Sequence, residues 1–514
     1  MRSFFELTVT GAALATTVGW VAATGCARPE TGAASATGEQ QSALVSAVRI
    51  AGHLANAGNV SVAGVPIVLA GSQRAVAITD AEGDFQFTVP AGSYSLRPTE
   101  MGAVFTPDVA NLNNLGADAF RAFTCTAGCD VPSSIVPGQE LVITDLSVLG
   151  DPRTSDAGDG AWSFRRLMEQ MTPSGMDPAD FIEAWINQFR SPPPPNGRLV
   201  NGFPVDNRAA DTLRLFWPKR ADGKVDPANT PFRLRAIVNR ADMHAATNGE
   251  VRFVFGVVDA ADPFQLQQSM AIIFEYDLPA VDPTTGAALS RQSWVAKFHA
   301  LGAKTFGVDY NPALQAVTDL FTLRGTGPGR PNGSSLINLR SNEVMMDPNP
   351  CECFGKWQLR VFDLVDGGTL QLSTTPQNPD DTAHDVTTAA NATLTSYLNA
   401  DGVPIRAGFA TVPASIIGGQ ATAALFWNAF SAPVDPVVRH AFAGQTCGGC
   451  HLTEINGQNV DDLFHVSGLT NFDGTTKLSP FETTIEIPRR AIFAQHELTC
   501  SGTACAVGAE AMLH

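Results

Sequence analysis

The sequence has no run of basic residues, and its acidic side chains outnumber the basic ones by 50 to 33, which gives a formal net charge of −17. This balance argues against a nucleic acid or an anionic membrane surface as the main partner, because both attract positive charge. The chain also shows no internal repeat. At 514 residues it is too long for one hydrophobic core, so two to four domains are expected.

Several catalytic motifs are absent as well. There is no Gly-x-Ser-x-Gly elbow, no His-Glu-x-x-His pair and no EF-hand loop. The glycine-rich segment 325–333 contains two prolines and precedes no predicted helix, which indicates a loop rather than a phosphate cradle. His244, His299, His384 and His440 are isolated in the sequence, and a structural or exposed role is expected for each of them.

The first 26 residues predict an export signal, with a positive charge at Arg2 and an uncharged stretch of small residues over 7–25. The stretch ends in Ala23-Thr24-Gly25-Cys26, which resembles the bacterial lipobox. The resemblance implies that Cys26 is lipidated and becomes the mature N-terminus. Residues 27–45 are then a flexible tether, and the protein is an outer-membrane lipoprotein, periplasmic or at the cell surface, that touches the membrane only through its lipid. An ordinary cleaved signal peptide is the alternative.

The cysteines support export. Apart from Cys26, they fall into four close pairs, and local pairing suits an oxidising compartment. The ring closed by a Cys351–Cys353 bond would be strained, so this pair is the weakest disulfide candidate. The pairs are Cys125/Cys129, Cys351/Cys353, Cys447/Cys450 and Cys500/Cys505.

Residues 46–144 predict a small β-sandwich. Phe85, Phe87 and Val89 alternate with polar residues along one strand, and a second strand follows the turn at Gly92. The segment resembles the carboxypeptidase regulatory-like domain, a β-sandwich of transthyretin or immunoglobulin type. The resemblance implies a noncatalytic spacer or stabilising module. It is carried by Gly64-Val65-Pro66-Ile67-Val68-Leu69, Thr79-Asp80, Gly83, Phe85, Phe87, Pro90, Gly92, Tyr94 and Leu96.

Residues 150–430 predict a central α+β domain of unknown role, preceded by a linker over 145–161. The predicted strands are Phe232–Asn239, Val251–Val258, Met270–Tyr276, Trp357–Leu364 and Thr369–Leu372. The predicted helices are Phe164–Met171, Phe181–Phe189, Ser293–Leu301, Pro312–Leu323 and Val386–Leu398. If the first two strands pair, a polar cluster forms that is either a site or an exposed strand face. Its members are Arg235, Arg240, Asp242, Glu250 and Arg252.

Residues 431–514 contain Cys447-Gly448-Gly449-Cys450-His451, which resembles the haem-attachment motif of c-type cytochromes. Two thiols separated by two residues can form thioethers to both haem vinyl groups, and the adjacent histidine is placed to bind iron. The resemblance implies one covalent haem c on Cys447 and Cys450, with His451 as the proximal ligand. We expect the segment to be short and mainly helical.

The second axial ligand is less defined by the sequence. His465 follows the motif most closely and is favoured, which would give bis-histidine ligation and a lower potential than methionine ligation. Met512 and His496 are alternatives, as is an open site. A zinc site would need further ligands near the motif. A thioredoxin-like pair would need a βαβ setting.

The sequence therefore predicts a multidomain α+β protein with a small β-sandwich, a central α+β domain and a haem-binding C-terminal segment. The leading hypothesis is an exported, lipid-anchored electron-transfer protein that exchanges electrons with a redox partner protein or a small-molecule donor or acceptor. One alternative is a haem-dependent oxidase or peroxidase with the central domain as its substrate pocket. Another is a nonredox envelope-binding protein in which the motif cysteines form a disulfide.

Overall fold

The computed structural model describes residues 47–62, 65–72, 75–80, 82–98, 104–127, 134–190, 197–207, 213–214, 217–243, 247–258, 266–345, 356–402, 405, 410–422, 427, 429–451, 464–471 and 473–499. Within these ranges helices and strands are mixed, as predicted for an α+β protein. None of the helices in them is long and apolar enough to cross a membrane. The predicted export signal, Cys26 and the tether lie outside the described residues.

The first described part of the chain consists of strands. They are β1 (Ala47–Asn56), β2 (Pro66–Gly71), β3 (Ala75–Ile78), β4 (Asp84–Pro90), β5 (Gly92–Pro98), β6 (Val104–Thr106), β7 (Ala110–Leu115) and β8 (Ala119–Ala127). Two four-stranded sheets form, in the orders β4-β1-β8-β6 and β3-β2-β5-β7, and share a hydrophobic core of their own. In β4, Phe85, Phe87 and Val89 are buried and their neighbours are exposed, as the alternating pattern predicted.

An antiparallel sheet of eight strands forms the centre of the molecule, in the order β17-β16-β15-β14-β13-β12-β9, with β18 also pairing with β16. The remaining strands form two hairpins, β10-β11 and β19-β20. The bounds are β9 (Val142–Ile143), β10 (Leu199–Val200), β11 (Phe203–Pro204), β12 (Phe232–Arg240), β13 (Glu250–Val258), β14 (Leu266–Asp277), β15 (Leu336–Met345), β16 (Lys356–Leu364), β17 (Leu370–Ser373), β18 (Ala421–Thr422), β19 (Val466–Thr470) and β20 (Thr476–Leu478).

The helices in the described ranges are short to medium in length. They are α1 (Pro137–Glu140), α2 (Leu146–Leu149), α3 (Phe164–Met171), α4 (Pro178–Asn187), α5 (Arg291–His299), α6 (Tyr310–Thr322), α7 (Ala389–Ala400), α8 (Pro436–Ala443), α9 (Cys447–His451) and α10 (Ile487–Thr499). A π-helical turn, Glu482–Glu486, leads into α10. Asp177 caps α4 by accepting a hydrogen bond from the backbone N–H of Ala179, with Pro178 in the first turn.

The two faces of the central sheet differ in chemistry. On one face, Phe253, Phe274 and Leu339 lie side by side on adjacent strands. Helices α3 and α4 cover this face, and the ring of Phe164 lies 4.1 Å from that of Phe232 and 5.4 Å from that of Phe274, centroid to centroid. Burial of these aromatic side chains supplies much of the apolar surface that stabilises the core. The opposite face carries charged residues.

Residues 145–161 are not a linker, contrary to the sequence-based expectation. They contain α2, and Val148 is fully buried in the main core. The segment looks flexible in sequence because of its glycines, but Gly160 is packed so closely that a Cβ atom there would lie 2.3 Å from the carbonyl oxygen of Arg153. Glycine marks close backbone approach at this position rather than mobility.

The observed limits of the central unit also differ from the predicted ones. Strand β9 pairs with β12, and Ile135 and Leu141 belong to the main core, so the chain packs in the central unit from Ile135 and not after residue 144. The C-terminal segment is less helical than expected, because β19 and β20 form a hairpin that packs on β12, β13 and β14. Phe464 and Phe493 of this segment are buried in the main core. The segment is therefore an integral layer of the central unit.

One carboxyl group in the supposed linker has a pH-dependent role. Asp156 is 5% exposed, and its side chain accepts hydrogen bonds from the hydroxyl of Thr230 and from the backbone N–H of Arg165, the latter at 2.8 Å. Burial raises its pKa from 3.8 to about 6, although these donors and Arg233 oppose the rise. The pKa of Asp156 is therefore higher in the folded protein than in the unfolded chain. Its contribution to the free energy of unfolding is complete below pH 3.8 and is lost as the pH rises through about 6.

We predict that Asp156→Asn is more favourable relative to the wild type at pH 7.5 than at pH 4.5, by about 2 kcal/mol of unfolding free energy. The amide cannot ionise, so it escapes the desolvation of a buried carboxylate. Urea denaturation at the two pH values measures the difference. Asp159→Asn is the matched control, since Asp159 is exposed. An equal difference at both pH values would contradict the prediction.

Candidate haem-attachment site

The predicted attachment motif forms the short helix α9, and the turn before it is built by buried polar groups. Thr446 is fully buried, and its hydroxyl donates to the carbonyl of Ala443 at 2.8 Å. The same oxygen accepts from the backbone N–H of Gly449 at 3.1 Å and from the indole N–H of Trp427 at 3.2 Å. Hydrogen bonding of this kind fixes the angle between α8 and the motif.

A neighbouring loop contacts the first turn of α9. The side-chain oxygen of Asn378 accepts a hydrogen bond from the backbone N–H of Gly448 at 3.1 Å. The thiol of Cys447 points to the carbonyl oxygen of Pro376 at 3.7 Å. The start of the motif is therefore held by residues that lie far from it in sequence.

Both spacer positions of the motif require glycine on steric grounds. A Cβ atom at Gly449 would lie 1.9 Å from the carbonyl oxygen of Ala443, and one at Gly448 would lie 2.9 Å from that of Thr422. Backbone atoms cannot move aside as a flexible side chain can. The Gly-Gly pair thus allows α9 to pack directly against α8 and β18.

Cys447 is a free thiol that is half-buried and packs against the main core. Burial raises its pKa, and the positive charge of Arg340 opposes the rise. Arg340 belongs to a row of ion pairs on the polar face of the sheet. Its Nε lies 2.8 Å from Glu275, and the Nε of Arg252 lies 3.0 Å from the same carboxylate.

His451 lies in a stack of four rings. Its imidazole faces Trp357 of β16 with the centroids 4.9 Å apart, and it contacts the imidazole of His465 at 4.5 Å. His465 in turn contacts Phe481 at 5.0 Å. The indole N–H of Trp357 donates to Asn342 at 2.6 Å, which fixes the plane of the indole. His465, favoured as the second axial ligand, is thus placed next to His451.

The residues near His451 suit a haem c in chemical type, because such sites combine imidazole ligands to iron with cysteines that form thioethers to the haem vinyl groups. Metal–imidazole bonds are about 2 Å long, so two rings on opposite sides of an iron have centroids about 6 Å apart. The 4.5 Å contact is shorter, and the rings must separate to bind one iron between them. Within the described ranges, no group of three or more His, Cys, Asp or Glu side chains is placed to hold a metal ion.

The predicted polar cluster on the two central strands does form. Strands β12 and β13 pair with Arg240 opposite Glu250, and the Nη2 of Arg240 lies 2.8 Å from Asp242. Arg252 pairs with Glu250 at 2.5 Å. Arg240, Asp242 and Glu250 are at most 4% exposed, so they are buried ion pairs and not an exposed strand face. Arg235 instead donates to the carbonyl of Gly468 in β19 at 2.9 Å.

The structure describes only some of the remaining predicted site residues. Cys125 is disulfide-bonded, and its pairing with Cys129 stays a prediction. His496 lies in α10, which packs on α5, and is not part of the ring stack. His384 is stacked on Trp427 at 4.0 Å. Outside the described residues or side chains lie Cys26, Cys129, His244, Cys351, Cys353, His440, Cys450, Cys500, Cys505 and Met512.

Sequence reasoning missed the residues that position the motif. Trp357 lies in an apolar strand, and in sequence it is indistinguishable from a core residue. Thr446 directly precedes the motif, so a capping role was the one available signal. Asn378 gave no signal in the sequence, because only the tertiary fold brings its loop to α9.

Comparison with known proteins adds little. No protein-family model and no curated protein matches the chain. Among solved structures, the Bacillus anthracis TIE protein is 15% identical with a TM-score of 0.15 and covers 16% of each chain. A DUF3823 family protein from Parabacteroides merdae is 14% identical with a TM-score of 0.14, over 16% of this chain and 46% of its own. A 9R-lipoxygenase from Cyanothece is 11% identical with a TM-score of 0.13, over 53% of this chain and 47% of its own.

These matches span less than half the length of the proteins concerned. Their TM-scores are too low to support an argument about fold or function. The chemistry of the site therefore has to be argued from the residues themselves.

We predict that Gly449→Ala destabilises the protein by about 1–3 kcal/mol, because the added methyl group overpacks a rigid backbone contact. The midpoint of thermal or urea denaturation measures the loss. Gly138→Ala in α1 is the control, since a Cβ atom there meets nothing within 4 Å. Equal stability of the two variants would show that α9 does not pack on Ala443 as described.

Proposed function

We propose that this protein is an exported, lipid-anchored electron-transfer protein that binds one haem c through Cys447, Cys450 and His451. The observation that carries the proposal is the proximity of His465 to His451, because separation of the two rings would make both imidazoles available to one iron. A covalently attached haem supplies one-electron exchange at its iron. Lipidation at Cys26 and export are parts of the same proposal, since haem c is attached outside the bacterial cytoplasm.

The chain's own residues would orient the axial ligands. Trp357, held by Asn342, limits rotation of the His451 ring from one side. The Nδ1 of His465 lies 3.2 Å from the hydroxyl of Ser479, a contact that orients the ring, and Nε2 would be the atom that holds a metal. Trp357 and Phe481 are buried side chains at the two ends of the stack, and burial around a haem is one means by which a protein tunes its redox potential.

The alternative of a haem-dependent oxidase or peroxidase is less well supported. Such enzymes need an open coordination position for peroxide or oxygen. His465 is the described imidazole that contacts His451, and it would occupy that position. A redox partner or a small-molecule donor or acceptor fits the proposal better than a substrate bound at the iron.

The proposal is tested by expressing the full chain with a haem-maturation system and measuring its absorption spectrum and mass. We expect a Soret band, a haem c pyridine haemochrome and a mass increase of one haem. A Cys447→Ala/Cys450→Ala variant should lose the adduct while remaining folded by circular dichroism. A folded, colourless wild-type protein of unmodified mass would refute haem attachment, and an unlipidated mature N-terminus would refute the anchor.

We predict that His465→Ala converts the haem from a six-coordinate, low-spin to a five-coordinate, high-spin state that binds carbon monoxide when reduced. Loss of the second imidazole opens the coordination position. Absorption spectroscopy of both oxidation states measures the change. His496→Ala and Met512→Ala are the matched controls and should keep the wild-type spectrum. If one of these two variants gives the high-spin state instead, His465 is not the ligand.

A further inference from the structure

A serine, a histidine and a glutamate from distant parts of the chain meet away from the haem motif. Glu140 ends α1, and His299 ends α5. The Nδ1 of His299 lies 3.0 Å from the Oε2 of Glu140, and its Nε2 lies 3.5 Å from the hydroxyl oxygen of Ser134. This order, hydroxyl to imidazole to buried carboxylate, is the arrangement by which serine hydrolases activate a nucleophile.

The carboxylate is fixed in position. Glu140 is 2% exposed, and its Oε1 accepts a hydrogen bond from the backbone N–H of Val136 at 2.8 Å. Gly302 allows this burial, because a Cβ atom at that residue would lie 2.1 Å from Oε1. The carboxylate accepts from Nδ1–H of His299, so the lone pair of the imidazole is on Nε2 and points toward Ser134.

A fourth residue completes the surroundings of Ser134. The Oε1 of Gln495 in α10 accepts from the backbone N–H of Ser134 at 2.8 Å and lies 3.1 Å from its hydroxyl oxygen. The hydroxyl hydrogen can therefore turn to Gln495 or to His299. No acceptor among the described residues is found for the Nε2 of Gln495, which belongs to the same amide group as the Oε1 that contacts Ser134. It is a candidate donor to an oxyanion that forms there.

The site is open to solvent on the side of the nucleophile. Ser134 is exposed, and the side chain of His299 is 34% exposed, whereas Glu140 is buried. Val136, two residues from the nucleophile, is 40% exposed and offers an apolar surface to a short acyl chain. A small carboxylic ester can reach such a site without any rearrangement of the core.

We propose that Ser134, His299 and Glu140 form a catalytic triad that hydrolyses small carboxylic esters, an activity that does not depend on the proposed haem. Ser134 Oγ attacks the acyl carbon while its proton passes to Nε2 of His299, and Gln495 Nε2 donates to the carbonyl oxygen. The proton then goes to the departing alkoxide, which leaves as an alcohol. Water attacks the acyl-enzyme through the same imidazole, releasing the carboxylic acid and restoring the Ser134 hydroxyl.

The test uses the purified full chain with p-nitrophenyl acetate as substrate and a fluorophosphonate as active-site label. We expect saturable hydrolysis, and labelling that tandem mass spectrometry locates at Ser134. Ser134→Ala should abolish labelling and lower kcat/KM by at least about 100-fold, as should His299→Ala. Ser147→Ala and His53→Ala are the matched controls, because Ser147 is exposed in α2 and His53 pairs with Asp84 in the sandwich.

Glu140 is a positioning residue, and its test separates catalysis from folding. Glu140→Gln should lower kcat with KM unchanged, and Glu140→Asp should restore part of the rate in protein of the same melting temperature. The proposal is overturned if the folded wild-type chain is not labelled, or if Ser134→Ala retains hydrolysis. The Cys447→Ala/Cys450→Ala variant should keep esterase activity, so failure of the haem proposal and failure of this one are distinguishable.

Discussion

The structure depends on the need to neutralise charges on one face of the central sheet. Glu275 on β14 is shared by Arg252 and Arg340 of the two flanking strands, and buried charges of this kind are tolerated only when they are paired. This face is covered, because β19 packs on β12 to β14, and the thiol of Cys447 lies close enough to Arg340 for its pKa to be affected by that positive charge. The layer that covers the charged face is therefore the same layer that carries the attachment motif.

Local patterns predicted the elements whose residues alternate or repeat with the period of a strand or helix. Strands β12, β13 and β16 and helices α3 and α4 lie within a few residues of their predicted bounds. Strand β15 escaped prediction although it lies at the middle of the sheet, because Asn338, Arg340 and Asn342 give its inner face the polarity of a loop. Residues on that face are buried by tertiary contacts and paired across strands, which no local window of sequence reveals.

In the candidate sites too, some residues could be predicted from local sequence patterns and others only from the tertiary fold. The resemblance to the attachment motif predicted Cys447, Cys450 and His451 as a group, and His465 was favoured because it follows the motif most closely. The contact between its ring and that of His451 depends on the fold, since the hairpin that follows His465 decides where the ring lies. Trp357 could not be selected from its strand. In the second site, Ser134 and His299 are 165 residues apart in the sequence. The fold brings them together with Glu140 because of where α1 and α5 end. Isolated polar residues acquire partners only through topology.

The covering of a charged sheet face by a later part of the chain has a consequence for biogenesis. When the chain emerges from its N-terminus, the strands that carry Arg252, Glu275 and Arg340 appear before β19 and β20, so their charges stay hydrated until the last layer arrives. Collapse of the central unit is then incomplete when the cysteine motif emerges, and the motif remains accessible during that interval. When the final hairpin docks, the motif is no longer accessible. Any modification that the cysteines carry at that moment is then retained in the folded protein.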